Sequence, residues 1–298
     1  MPLKQGLFSA LRRLRDGVPG LRVLVRAVQG YIRHQSANQA GSVAFSAVLA
    51  MFPLLLFLSA AASFVGRPGT VAALAGRVIG YAPPVVADAL QPVVAQVLGE
   101  RSRALLAIGV LVTIWTASSG VQAIRTALNR AYGVERGLSF WGARLKVTLF
   151  TILGGVGTVL AFGSVIVLPY IWLVLEKTIG VATEALWLRN SVRYGLAFIV
   201  LSVVYAVMYG WLPDIRQRLR TVLPGALVGA LMWTAAAAIL SYTLRNAGKL
   251  ALVYGGFAGL VATLVFLYCS AVTLIFGAEI NAVLRDDARA QDGEAAQA

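Results

Sequence analysis

The chain has 298 residues, 59% of them hydrophobic and only 13% charged, with a mean hydropathy of +0.78. Soluble domains carry roughly 25% charged residues to solvate their outer faces, so this composition excludes an ordinary water-soluble fold and predicts a membrane protein. The net charge of +14 resides in arginines set between apolar segments rather than along one face, which points to a membrane surface and argues against nucleic acid as a partner.

Residues 1–33 read as a basic amphipathic segment. Leu3, Leu7, Leu11 and Leu14, then Leu21, Leu24, Val25 and Val28, recur at helical spacing with arginines on the other face, the pattern of a helix lying on the inner leaflet. Residues 34–284 follow as a transmembrane domain. A hydrocarbon core about 30 Å thick needs ~20 residues of helix to cross it. Six stretches free of Asp, Glu, Lys and Arg are long enough: His34 to Gly66, Ala104 to Ile124, Val147 to Leu175, Tyr194 to Pro213, Thr221 to Leu244, and Leu250 to Ala278. The expectation is an all-α polytopic protein of six transmembrane helices with amphipathic interfacial helices. The first span begins after a long basic segment and exceeds a signal-peptide core, so it is expected to remain as an anchor.

Between the first two spans, Val86, Leu90, Val93 and Val97 form a second amphipathic stripe after Pro83 and Pro84. Gly154, Gly155 and Gly157, followed by Pro169, predict a third span that is loosened or kinked. Ser42, Ser46 and Ala50, Gly225 and Gly229, and Gly255 and Gly259 are small residues at four-residue spacing, which lets helices approach closely. Residues 285–298, with Asp286, Asp287, Asp292 and Glu294 among alanines, hold too little apolar surface to pack and are expected to be a disordered tail.

Cytoplasmic segments retain basic residues. Alternating the spans puts 17 of the 26 Lys and Arg residues on the side of the two termini and 9 on the other. Both termini are therefore expected in the cytoplasm.

Three groups of motifs resemble the YihY/BrkB family of bacterial inner-membrane proteins, some of which have carried a ribonuclease label. They are NQAGSVAFSAVLAMFPLLL (Asn38 to Leu56); WTASSG, TALNRAYGV and FWGARLK between Trp115 and Lys146; and YGWLPD, LPGALVGALMW, YGGF and FGAEINAVL between Tyr209 and Leu284. Phe266 in FLYCSA stands where that family usually has tryptophan. The resemblance implies an inner-membrane location and a link to envelope integrity and resistance to host killing. The residues do not support the ribonuclease label. One histidine, His34, and one cysteine, Cys269, cannot build the ligand clusters of a metal-dependent nuclease. Phosphate-loop and nucleophile-elbow motifs are missing as well. No enzyme activity, metal or cofactor is expected, and His34 reads as an interfacial residue.

On this topology the polar residues gather at the cytoplasmic end. Asn38, Gln39 and Ser42 lie at the inner end of the first span; Gln122, Arg125 and Asn129 follow the second at helical spacing; Asp214 follows the fourth; Glu279 and Asn281 close the sixth. They are expected to line a polar vestibule, because such groups are costly to leave in hydrocarbon. The run from Leu250 to Ala278 is about 43 Å long at 1.5 Å per residue, so Glu279 reaches the interface. Its expected partner is Arg125 or Arg144, with a place in a transport path as the alternative. The expected partners of the whole protein are membrane lipids with anionic headgroups, and self-association into a homo-oligomer is left open. Three functions fit: a transporter or flippase for lipids or other amphiphiles, a channel or exporter for small solutes, and a non-transporting envelope structural or assembly factor. The first is favoured because mid-span positions hold few ionisable groups, unlike an ion pathway.

Overall fold

The fold is given by a computed structural model that describes residues 19–65, 103–154, 186–246 and 257–295. Among the described residues there are seven helices and no strand: α1 (Pro19–Arg33), α2 (Ser36–Val65), α3 (Arg103–Ala131), α4 (140–154), α5 (Leu186–Trp211), α6 (Leu219–Asn246) and α7 (Phe257–Ala295). The all-helical expectation holds. Two of these helices are long and apolar enough to cross a membrane, α6 over Arg220–Thr243 and α7 over Val261–Gln291, and α5 carries a shorter apolar stretch, Phe198–Trp211. The first eighteen residues of the basic segment, the stripe around Val86 to Val97, and Gly155 to Pro169 lie outside the described residues.

Helix α7 is the centre of the bundle, packing against α1, α2, α3 and α6, while α2 pairs with α3 and α5 with α6. Small residues make the α6–α7 crossing close. A Cβ on Gly225 would overlap the Gly277 carbonyl oxygen, and one on Gly229 would press on the Tyr205 ring at 3.0–3.1 Å and on the Tyr209 hydroxyl at 3.1 Å. The expected small-residue pair 225/229 therefore works as a contact face, with Gly277 as its unanticipated partner. Around it, Leu128, Tyr132, Tyr205, Tyr209, Leu212, Val222, Ala226 and Leu274 form the largest core cluster. Tyr209 is fully buried and donates its hydroxyl to the Leu274 carbonyl at 2.6 Å. The phenol thus fills the core without an unpaired O–H.

Outer faces are apolar. Trp141, Leu145, Leu149 and Ile152 on α4, Ile199, Val203 and Val207 on α5, and Leu223, Leu227 and Leu231 on α6 are all exposed, each set recurring at three or four residues along one helical face. Water would not tolerate stripes of this extent, whereas lipid solvates them.

A sharp elbow joins α1 to α2. Gln35 takes a left-handed conformation at φ 53°, the His34 N–H still bonds the Gly30 carbonyl at 2.8 Å, and the Asn38 N–H already bonds the Gln35 carbonyl at 3.0 Å. Gln35 thus serves as the αL residue that ends one helix and starts the next.

The carboxyl-terminal segment corrects the expectation of a disordered tail: α7 continues as helix through Ala295, and only 296–298 fall outside the described residues. Tertiary ties explain the difference. Arg26 of α1 pairs with Asp287, and Arg285 donates to the Tyr132 carbonyl at 2.8 Å, so polar contacts hold a stretch that has few apolar ones.

Candidate functional site

Asp214, in the connection between α5 and α6, is the hub of one polar cluster. Its carboxylate accepts Arg125 Nε at 3.1 Å, Arg125 Nη2, Asn129 Nδ2 at 3.0 Å, the Leu138 backbone N–H at 3.1 Å and Lys146 Nζ at 3.3 Å. Asn129 returns the contact, its Oδ1 accepting the Asp214 N–H at 2.8 Å. Helical spacing in α3 puts Gln122, Arg125 and Asn129 on one face, and the Gln122 Oε1 accepts Arg125 Nη1 at 3.4 Å. A carboxylate has about four lone-pair positions, so Asp214 is saturated. It is also closed off: the side chains of Asp214 and Arg125 are 1% and 7% exposed. Burial alone would raise the Asp214 pKa, but the Arg125 bonds, with those from Leu138 and Asn129, outweigh burial and hold the carboxyl below its ordinary value.

Glu279, on α7, belongs to a second cluster. Its expected arginine partners are elsewhere, Arg125 on Asp214 and Arg144 on Trp115. The partner the structure supplies is His34, whose Nδ1 lies 2.9 and 3.2 Å from the two carboxylate oxygens. Ser36 Oγ donates to Oε1 at 3.0 Å. Both partners come from the α1–α2 elbow, and His34 meets the carboxylate while its side chain stays 22% exposed. Gly30, one turn before His34, makes room: a Cβ there would stand 2.6 Å from Glu279 Oε2. With two donors for about four acceptor positions, this carboxylate keeps unused capacity. Beside it lies a cleft of about 230 Å³ lined by Arg26, Gln29, Arg33, His34 and Asp286 as well as Glu279.

The remaining candidates separate. Asn281 is buried against α6, accepting the Gly225 N–H at 2.7 Å and donating to the Val222 carbonyl at 3.0 Å. It serves the helix pair where Pro224 interrupts the α6 ladder. Asn38 and Ser42 are exposed on α2, and Gln39 is half-buried. The structure therefore brings Gln122, Arg125, Asn129 and Asp214 together, sets Glu279 and Asn281 in two other surroundings, and leaves Asn38 and Ser42 outside all three. Sequence reasoning missed His34, Ser36, Gly30, Lys146 and the Leu138 amide. Gly30 and His34 share a helix face, which was a usable signal; the sequence separation of 245 between His34 and Glu279 left none.

Long helices with apolar outer faces and buried polar clusters at one end define a helical membrane protein. The sequence profile of the family described as virulence factor BrkB matches residues 27–298, and the chain belongs to that family. It is similar to the putative ribonuclease-like protein YfkH of Bacillus subtilis, at 28% identity over 85% of this chain and 92% of that one. Two UPF0761 membrane proteins are also similar. That of Alkalilimnicola ehrlichii is 26% identical over 93% of this chain and 62% of its own length, and that of Pseudoalteromonas atlantica is 25% identical over 91% and 89%. The chain thus spans less than two thirds of the Alkalilimnicola relative and nearly all of the other two. No solved structure matches.

Proposed function

We propose that this protein is a six-span bacterial inner-membrane protein with both termini in the cytoplasm, which binds and moves lipid-like amphiphiles and catalyses no covalent chemistry. The observation that carries the reading is the cleft beside Glu279. It places charged groups of both signs next to an apolar stripe, as a ligand with a polar head and an apolar body requires. On α1, at 100° per residue, Val23, Ala27 and Gly30 face α7, Arg26, Gln29 and Arg33 form the cleft side, and Leu24, Val28 and Ile32 form a third face that is exposed. A helix with one face on protein, one on lipid and one on headgroups suits the inner leaflet. Exposed Phe140, Trp141 and Trp211 stand at helix ends within a few residues of the Asp214 cluster, as an aromatic belt would at the cytoplasmic interface.

Reconstitution in liposomes with labelled anionic phospholipid tests the reading. Exchange faster than in empty liposomes, reduced by Glu279→Gln and by Arg33→Gln, is the expected result; exchange at the empty-liposome rate rejects transport. Topology is tested in a Cys269→Ser background: an impermeant thiol reagent applied to whole cells labels Glu184→Cys and not Ala290→Cys. The reverse pattern inverts the orientation. A second reading, a non-transporting envelope factor, is favoured by the saturated Asp214 cluster, which ties α3, α4 and the α5–α6 connection into a rigid unit.

A further inference from the structure

Arg144, in the second turn of α4, stands apart from the other buried or half-buried cations. Arg125 and Lys146 pair with Asp214, Arg26 with Asp287, and Arg285 with Asp286; among the described residues no carboxylate pairs with Arg144. Its guanidinium lies over the Trp115 ring of α3, 3.8 Å from the centroid, and its Nη2 donates to the Trp115 carbonyl at 3.3 Å. That carbonyl also accepts Ser118 Oγ at 2.8 Å and Ser119 Oγ at 3.1 Å. The stack and the bond fix the plane of the guanidinium while using one of its five N–H donors. Trp115 itself is 64% exposed, so the pair sits on the outer face of the bundle.

Apolar surface continues from this point in one direction. Helix α3 runs toward Arg125 and the Asp214 cluster, and α4 runs away from it. Leu111 and Val112, before Trp115, and Leu149 and Ile152, after Arg144, are therefore both on the side away from the polar end, and all four are exposed. An oriented cation lacking an acid, at the foot of two apolar stripes, matches a phosphate with acyl chains above it. We propose that the α3–α4 groove binds one anionic phospholipid, its phosphate on the outer edge of Arg144 and its chains along Leu111, Val112 and Ile152. An anionic lipid is selected over a zwitterionic one because the described groove offers no carboxylate to receive an ammonium group, in contrast to the cleft at Glu279 and Asp286. A free phosphate would gain nothing from the stripes. The proposal rests on the membrane placement given above and not on transport.

Native mass spectrometry of the purified protein, titrated with phosphatidylglycerol or phosphatidylcholine, tests it. The wild type is expected to bind one phosphatidylglycerol about tenfold more tightly than phosphatidylcholine, and Arg144→Gln to lose that preference. Trp115→Leu is expected to weaken it, and Arg289→Gln, an exposed arginine near the end of α7, to leave it intact. Glycerol phosphate at millimolar concentration is expected not to displace the lipid. Unchanged selectivity in Arg144→Gln overturns the proposal, as does equal competition by glycerol phosphate, which would make the site one for soluble phosphate. If Arg144→Gln does not fold, Arg144→Lys decides: it keeps the charge but not the planar stack, so selectivity equal to wild type overturns the proposal and a reduced one supports it. Failure of the exchange assay with selectivity intact would reject transport alone, and lost selectivity with normal exchange would reject this site alone.

Discussion

Asp214 and Glu279 are both carboxylates with almost no exposure, at 1% and 2%, and both lie toward the polar end of the bundle, yet their surroundings differ in kind. Asp214 takes donors from α3, from the loop before α4 and from α4 itself, including two permanent cations. Glu279 takes a histidine and a serine from one elbow and borders a cleft. A saturated, cation-paired carboxylate fastens elements together, because any rearrangement strands a buried charge. A half-satisfied one beside open space can exchange partners at lower cost. The first therefore suits anchoring, and under the proposed function ligand contact falls to the second.

The largest expected effect is on the anchor. Asp214→Ala leaves Arg125 without its acid and should cost about 3–5 kcal/mol of stability, read as a lowered thermal midpoint in detergent; the double variant with Arg125→Ala should cost less than the two single effects combined. A loss no greater than that of Glu279→Gln would break the contrast. Two glycines sharpen it. A Cβ on Gly137 would come within 2.8 Å of Asp214 Oδ2, and one on Gly30 within 2.6 Å of Glu279 Oε2. Either change to Ala overpacks its carboxylate, at about 1–3 kcal/mol. Gly137→Ala should show the larger fall in thermal midpoint, since Asp214 has no free space to enter, whereas Glu279 can lean into the cleft.

Glu279→Gln keeps the shape and should cost only about 1 kcal/mol, while lipid exchange in liposomes falls clearly; unchanged exchange would remove Glu279 from ligand contact. Acid separates the two again. The folded pKa of Asp214 lies below the ordinary 3.8, so its stabilisation is complete above that value and is lost as pH falls through the folded one. The thermal midpoint of the wild type should drop in this acid range, and that of Asp214→Asn should lack this component. The smallest effect is at the elbow that presents His34. Gln35→Gly removes the left-handed penalty at some gain in unfolded-state freedom, a net stabilisation of about 0.5–1 kcal/mol by thermal midpoint.

Legibility followed the range of the interaction. Gln122, Arg125 and Asn129 could be grouped from the sequence because three- and four-residue spacing is a property of one helix. Their acid, Asp214, was placed at the same depth from its position after a span, but the Lys146 and Leu138 contacts depend on how the 132–139 loop folds back. Glu279 was visible as a carboxylate after an apolar run. Its partner was not, since arginines were many and charge alone favoured one of them.

Composition and periodicity by themselves determined that this is an all-helical membrane protein with polar residues at helix ends, because lipid requires every backbone group to be bonded within its own helix and removes charge from outer faces. Tertiary structure decided the rest. Which cation meets which carboxylate, the crossing of α6 and α7 at Gly225 and Gly277, and the helical course of 285–295 all depend on side chains from distant segments meeting, and no local pattern in the chain encodes that meeting.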